Sequence, residues 1–222
     1  MTPPLAFDAV PLGAADAAFS LTVTPHAVTT VVGDAASGVG GLAALALGMT
    51  RPTAGRALVF GEDVAAMPRR QVLAFRRRVG YVPAGGGLLQ NLSLADNVAL
   101  PLRFGSALSH REIAGRLRMM LALGGLADAG ALRPAAADEE LRRRASVVRA
   151  LAFDPELVLL DRPFDGVSAR VAGDLLQLLR GGEGGGGSRR TIFITAQDVP
   201  DRLRPRIDAR WRVVRGVLQA DQ

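Results

Sequence analysis

The segment Val28–Met49 constrains the fold of this chain most strongly, because it combines a strand, a glycine turn and a helix. An apolar, β-branched run predicts a strand that breaks at Gly33, and the alanine- and leucine-rich run Leu42–Leu47 predicts a helix. Together with Gly38, this is the frame of a phosphate-binding loop, in which backbone N–H groups surround an anion. We therefore predict a phosphate-loop scaffold.

The loop lacks the side chains that hold a nucleotide. The motif G-x-x-x-x-G-K-[ST] needs a lysine for the phosphates and a hydroxyl for Mg²⁺, but this chain has Val39 and Gly40 there. No lysine occurs in the 222 residues, and all 27 basic side chains are arginine. Avoidance of lysine alone would predict arginine at position 39. Valine removes the charge, which we interpret as a loss of nucleotide chemistry.

The composition indicates a folded α/β protein. The apolar fraction is 49% and the charged fraction 22%, as in globular proteins, and the length suits one large domain with a possible small subdomain. The absence of cysteine excludes disulfides and is consistent with a reducing cytosol, and two distant histidines predict no metal site. We see no signal peptide, and no apolar run approaches the roughly 20 residues of a membrane span.

The net charge of +6 raises the possibility of an arginine-rich protein that binds nucleic acid or an anionic membrane surface. The arginines are spread along the chain, however, and aromatic residues make up only 5%. Few rings are therefore available to stack on exposed bases. We favour a solvated basic surface and expect nucleic acid to be an improbable partner.

The order of predicted elements favours a mostly parallel sheet in a three-layer α/β core. Two N-terminal strands, Leu5–Val10 and Phe19–Val23, alternate apolar and polar residues. The apolar strand Leu157–Pro163 carries a carboxylate near its end, as a buried parallel strand beside a site does. The helical stretch of about 88–150 is predicted to be a subdomain inserted in this core, and Gly181–Ser188 a glycine-rich loop.

Four segments together resemble the ATP-binding subunit of ABC transporters over nearly the whole chain. They are LGMTRPTAGRALVFGEDV, RRVGYVPAGGGLLQNLSLADNVALPL, RRRASVVRALAFDPELVLLDRPFDG and TIFITAQDVP. The resemblance implies one cassette domain over 1–222, with a P-loop NTPase-like, RecA-like core. The PF-x-G after Asp161 and the DVP near the end of the fourth segment look most like the ATPases of Mla/Mce-type phospholipid transporters of Gram-negative bacteria.

Matching the family motifs position by position gives a pattern of loss around the nucleotide. In the phosphate loop Gly33, Ser37, Gly38 and Gly41 match, whereas Val39 and Gly40 do not. The resemblance places Ala84 at the Q-loop glutamine, Asp161 at the metal-linked Walker B aspartate, Arg162 at the catalytic glutamate and Gln197 at the switch histidine. Phe7 is the nearest candidate for the ring that stacks on adenine.

The resemblance also implies two surfaces that contact other subunits. The signature motif aligns with Ala137, Asp138, Glu139, Glu140 and Leu141, where carboxylates facing a γ-phosphate across a dimer would be repulsive. The groove that receives the permease's coupling helix, called the docking groove below, aligns with Leu88, Leu89, Leu92, Val98 and Leu100.

These observations predict a degenerate cassette of a membrane transporter of lipids or phospholipids that binds ATP and Mg²⁺ weakly or not at all. It would act as a structural or regulatory pseudo-ATPase docked on a permease, in a homo- or heterodimer of cassettes at the cytoplasmic face of the bacterial inner membrane. A residual ATPase is the alternative, and the nucleic-acid or anionic-membrane binder is the alternative of another class.

Overall fold

The computed structural model describes residues 2–12, 18–181 and 190–221. Its strands are β1 (Leu5–Pro11), β2 (Ala18–Val23), β3 (Val28–Val32), β4 (Arg56–Val59), β5 (Glu62–Asp63), β6 (Val79–Val82), β7 (Leu157–Asp161), β8 (Thr191–Ala196), β9 (Ala209–Val214) and β10 (Val217–Ala220). Its α-helices are α1 (Leu42–Ala46), α2 (Arg69–Arg76), α3 (Leu94–Gly105), α4 (His110–Leu123), α5 (Glu139–Ala150) and α6 (Ala169–Arg180).

The strands form two sheets. The central sheet has the order β10-β9-β3-β8-β7-β6, and the five strands from β9 to β6 are parallel to one another. β10 folds back on β9 as an antiparallel hairpin. The second sheet is antiparallel, in the order β2-β1-β4-β5. The predicted parallel sheet with N-terminal antiparallel strands is therefore confirmed.

The inner strands β3, β7 and β8 of the central sheet are buried along almost their whole length, so both faces of the sheet are covered there, because successive side chains point to opposite sides. On β7, Leu157 and Leu159 pack into a core with α1 and the antiparallel sheet. Val158 and Leu160 pack into a second core with α6. Each such leucine, fully buried, contributes about 1.5–3 kcal/mol to folding. The three layers thus follow from one continuous apolar strand pattern.

The helices α3, α4 and α5 lie between β6 and β7 in the chain and share a third apolar core. Side chains start these helices: Ser93 accepts from the backbone N–H of Asp96 at α3, and Ser109 with Glu112 forms a capping box at α4. The extent of this unit, about 88–150, stays a prediction.

The glycine loop leads into a shorter helix than the phosphate-loop frame suggests. Two 3₁₀ turns, Ala35–Ser37 and Val39–Gly41, precede α1, which has five residues. The chain leaves α1 at Gly48, whose φ of 63° is left-handed. All but the first residue of the predicted loop Gly181–Ser188 lie outside the described residues.

Candidate functional site

Three parallel strands end at one edge of the central sheet and place the predicted site residues together. Gly33 follows β3, β7 ends at Asp161, and β8 ends at Ala196. The backbone N–H of Gly33 donates to the carbonyl of Ala196 at 3.0 Å, which joins two of these strand ends. The segments that follow line a cavity of about 210 Å³. The predicted site residues on its wall are Gly33, Val39, Gly40, Asp161, Arg162 and Gln197.

Polar groups of the phosphate loop form hydrogen bonds with one another. The backbone N–H of Ser37 donates to Oδ1 of Asp34 at 2.8 Å, and the Ser37 hydroxyl donates to the Asp34 carbonyl at 2.6 Å. Gly33 has to be glycine, since a Cβ there would lie 2.4 Å from Oγ of Ser37. One backbone donor of the loop is therefore occupied by a carboxylate of this chain.

The two altered loop positions differ in their surroundings. Val39 is 2% exposed and packs into the core beside α1, so the residue at the lysine position anchors the loop instead of facing an anion. Gly40 is exposed, and a Cβ built on it would meet no atom within 4 Å. The backbone would therefore accept a hydroxyl side chain at position 40, but none is present.

Asp161 has an arginine as its charged neighbour. Nε of Arg162 lies 3.9 Å from Oδ1 of Asp161, and the hydroxyl of Thr195 donates to the same oxygen at 3.1 Å. Burial, and the negative charge of Asp161, raise the pKa of the nearby Tyr81 phenol. Among the described residues no group of three or more His, Cys, Asp or Glu side chains is placed to hold a metal ion.

These residues differ from those that usually hold a magnesium-bound nucleotide. A buried valine and a glycine stand at the lysine and hydroxyl positions, and the guanidinium of Arg162 lies 3.9 Å from Asp161. Gln197 lines the cavity and is exposed, so it is the polar side chain left at the switch position. The site retains the shape expected from the sequence and a different set of charges.

Ala84 follows β6 and does not line this cavity, but the glycines after it are held firmly. Gly85, Gly86 and Gly87 all have left-handed φ angles of 60–80°. The guanidinium of Arg149 donates to the carbonyls of Gly86 and Gly87, each at 2.8 Å, and Ser146 donates to that of Gly86. Burial lowers the pKa of Arg149.

The sequence interpretation missed this contact between α5 and the glycine run. The glycine run itself carries no side chain that would indicate this partner.

The carboxylates at the signature positions make contacts within this chain. Asp138 caps α5 by accepting from the N–H of Leu141 at 2.8 Å, and Ala137 is buried. Glu139 pairs with Arg142 and Arg143 at 2.8 and 2.9 Å. These acidic side chains fold back onto their own helix, because arginines follow them at helical spacing.

Glu140 is paired in the same way, with Arg144 at 2.9 Å. The basic run Arg142–Arg144 is therefore neutralised by its neighbours, which weakens the case for a nucleic-acid surface here.

The adenine candidate Phe7 points into the protein. It is 2% exposed, and its ring centroid lies 5.5 Å from that of Phe19 and 5.8 Å from that of Phe193. Phe7 therefore belongs to the core, and its assignment as a stacking residue is corrected. A neighbouring cavity of about 590 Å³ lies beside the phosphate loop and is lined instead by Leu12 and Arg215.

The docking groove is only partly available as a surface. Val98 is fully buried and Leu88 is 8% exposed, and both belong to the core of the helical unit. Leu89 is 49% exposed, whereas Leu92 and Leu100 are half-buried. The reason is the helical period, which turns Val98 inward on α3. Leu88 and Val98 are therefore core residues of this chain, and a docking surface formed by Leu89, Leu92 and Leu100 stays a prediction.

The fold and the site define a nucleotide-binding-cassette scaffold, and comparison with known proteins gives its family. The profile of the family described as ABC transporter matches residues 17–165. The chain belongs to the ABC transporter family. Within the described residues, no helix has the length and apolar character needed to cross a membrane.

Several curated relatives are 32% identical to this chain. Two are intermembrane phospholipid transport system ATP-binding proteins MlaF, from Haemophilus influenzae over 161 residues and from Escherichia coli K12 over 184 residues. These matches cover 72% and 83% of this chain, and 61% and 68% of those proteins. A methionine import ATP-binding protein, MetN 2 of Pseudomonas aeruginosa, matches over 159 residues, 72% of this chain and 48% of the relative. The chain thus spans about half to two thirds of these relatives.

Solved structures agree with the fold. The dimeric cassette MJ0796, in a post-hydrolysis state with ADP and Pi, superposes with a TM-score of 0.83 at 19% identity, covering 97% of this chain and 98% of that chain. The cassette cbiO1 from Clostridium perfringens gives 0.80 at 18% identity, covering 99% and 88%. At these identities the likeness shows the fold alone.

Proposed function

We propose that this chain is a cassette subunit of a membrane transporter that acts structurally or as a regulator and does not hydrolyse ATP productively. The curated relatives named for phospholipid transport support a lipid as the transported substrate. The chain would dock, as one of two cassettes, on a permease at the cytoplasmic face of the bacterial inner membrane. Its helical unit of about 88–150 would provide the docking surface.

The observation that carries the proposal is the set of charges around the 210 Å³ cavity. Val39 is buried where a lysine would meet phosphate, and Arg162 faces Asp161 where a metal and a glutamate would act. Phosphoryl transfer depends almost entirely on positioning and on neutralising charge. Loss of one stabilising donor typically lowers the rate by about 10²–10³. Several losses together place hydrolysis near background, even though such effects are not additive.

The docking part of the proposal rests on Leu89, Leu92 and Leu100, the members of the groove that are not buried. The loop before α3 is fixed by Asn97, whose Oδ1 accepts from the N–H of Leu89 at 2.7 Å and whose Nδ2 donates to the Leu89 carbonyl at 3.0 Å. Asn97 is fully buried. Leu89 is therefore an exposed apolar side chain on a rigid backbone, a feature that suits a protein contact.

The docking test is co-expression with the permease subunit encoded beside this gene, followed by purification through a tag on the permease. We expect co-purification of the native chain and its loss for Leu89→Asp. Val217→Asp is the matched control, because Val217 is 48% exposed on β10, far from α3 in the fold. Failure of the native chain to co-purify, or equal retention of both variants, would refute docking through this surface.

A residual ATP-binding subunit is the second candidate, favoured by the survival of the cavity and of Asp161. Calorimetry at millimolar ATP with Mg²⁺ distinguishes the non-hydrolysing subunit from the residual ATP-binding subunit. We expect no turnover above background. ATP-dependent turnover that is abolished by Asp161→Ala would establish the second candidate instead.

A further inference from the structure

Arg162 places a positive charge beside Asp161, inside the cavity at the end of the central sheet. Its Nε lies 3.9 Å from Oδ1 of Asp161. The Asp161 side chain is 13% exposed, whereas that of Arg162 is 43% exposed. The carboxylate is therefore mostly withdrawn from water and needs a counter-charge, and the more exposed guanidinium of Arg162 lies beside it.

The backbone holds Arg162 in this position. Its φ of 48° is in the left-handed region, which is unfavourable for a residue with a long side chain. The N–H of Arg162 donates to the carbonyl of Thr195 at 2.7 Å, and the Thr195 hydroxyl donates to Asp161 at 3.1 Å. The backbone of Arg162 and the carboxylate of Asp161 are thus both tied to β8, which keeps the two residues next to each other at the cavity.

The charges on the cavity wall leave no place for a divalent cation. Among the described residues that line it, Asp34 and Asp161 are acidic and Arg162 is the one basic residue. Asp34 is already engaged with the N–H of Ser37. A metal ion at Asp161 would lie against the guanidinium, and like charges at such distances repel strongly.

We propose that Arg162 is a built-in replacement for a divalent metal ion as the counter-charge of Asp161, so that the cavity excludes Mg²⁺ and similar ions. This proposal rests on the proposed function and extends it by naming Arg162 as the residue that keeps a divalent cation away from Asp161. The contacts that support it lie in the cavity alone, and its test uses metal without permease or ATP. Its failure is therefore distinguishable from failure of the docking or hydrolysis experiments.

The test measures binding of Mn²⁺, used in place of Mg²⁺, by the electron paramagnetic resonance signal of the free ion. We expect no binding by the native chain at millimolar Mn²⁺. Arg162→Glu is expected to bind at least about tenfold more tightly, since it removes the cation and adds an oxygen ligand. Arg162→Asn removes the charge and tolerates the left-handed backbone, so it is expected to bind more tightly than the native chain.

Two controls tie the gain to this pair. Arg162→Lys keeps the charge and is expected to exclude Mn²⁺ as the native chain does. Adding Asp161→Asn to Arg162→Glu is expected to abolish the gain. The proposal is overturned if the native chain binds Mn²⁺ as tightly as Arg162→Glu, if neither charge-removing variant binds it, or if the gain survives Asp161→Asn.

Discussion

Replacement of Glu139 by alanine is expected to destabilise the fold much more than the same change at Glu140. Both carboxylates pair with an arginine four residues along α5 at 2.9 Å. The partner of Glu139 is Arg143, which is 3% exposed and also donates to the carbonyl of Asp165 at 3.1 Å. Nε and Nη1 of Arg143 are buried without a hydrogen-bond partner. Glu139 is therefore the counter-charge of an enclosed cation.

The size of the effect follows from that burial. Removing one partner of a buried ion pair costs about 3–5 kcal/mol, and Glu139 is itself a third exposed, so we take the lower end, about 3 kcal/mol. For Glu140 the loss should be at most about 1 kcal/mol, because Arg144 keeps Asp174 at 3.1 Å. At about 2–4 °C per kcal/mol for a chain of this size, the melting temperature should fall by roughly 6–12 °C and at most about 4 °C respectively.

Urea denaturation measures the difference in free energy of unfolding, as a shift of the midpoint urea concentration with the slope of free energy against urea unchanged. Thermal unfolding is a second measurement. Combining Glu139→Ala with Arg143→Met should recover most of the loss, since an apolar side chain of similar volume needs no counter-charge. Equal destabilisation by Glu139→Ala and Glu140→Ala, or no recovery in the double variant, would refute the reasoning.

Three further outcomes are expected. Gly55→Ala should destabilise the fold by about 2 kcal/mol or more, because φ is 68° and the new Cβ would lie 2.2 Å from a backbone oxygen. Gly115→Ala on α4, where the new Cβ would meet open space, should instead stabilise the fold by about 0.5–1 kcal/mol. The urea concentrations at the unfolding midpoints of the two variants compare these effects. Arg149→Met should increase hydrogen exchange around the glycine run that it holds. The guanidinium of Arg78 donates to Glu156 and lowers the pKa of that carboxyl in the folded state. The small stabilisation from this half-exposed pair is therefore fully present above the ordinary glutamate pKa of about 4.3, and it is lost as the pH falls through the lower folded-state pKa. The stability difference between the native chain and Glu156→Gln should therefore shrink in acid.

The fold could be predicted from the sequence because its signals are local and repeated. The strand Leu157–Asp161 is apolar at every position before its carboxylate, which requires burial on both faces and hence helices on both sides. Ser109 and Glu112 have the spacing of a capping box in the sequence, and they form one at the start of α4. Such patterns are fixed by steric and hydrogen-bonding rules that act within a few residues.

Side-chain direction in the site could not be predicted in the same way. Phe7 was a candidate for an exposed ring, but its direction depends on the distant Phe193, which packs against it. Val98 was assigned to a surface, but the packing of α3 against α5 turns it inward. Glu139 and Arg143 lie one turn apart on α5, but the sequence does not show that Arg143 is buried, because its burial depends on the packing around α5. Packing between residues far apart in sequence decides the burial of Phe7, Val98 and Arg143.

Three polar groups around the cassette's ligand surfaces are engaged by the chain itself, which limits the binding free energy that a nucleotide could gain from them. The N–H of Ser37 is taken by Asp34, that of Leu141 by Asp138, and the charge of Asp161 is met by Arg162. A ligand gains only the difference between its own contacts and those it displaces. A ligand that binds the native state stabilises it in proportion to RT ln(1 + [L]/Kd), so a weak one adds almost nothing. ATP at millimolar concentration should therefore leave the melting temperature unchanged, and a rise of several degrees would show that the internal contacts are weaker than their geometry indicates.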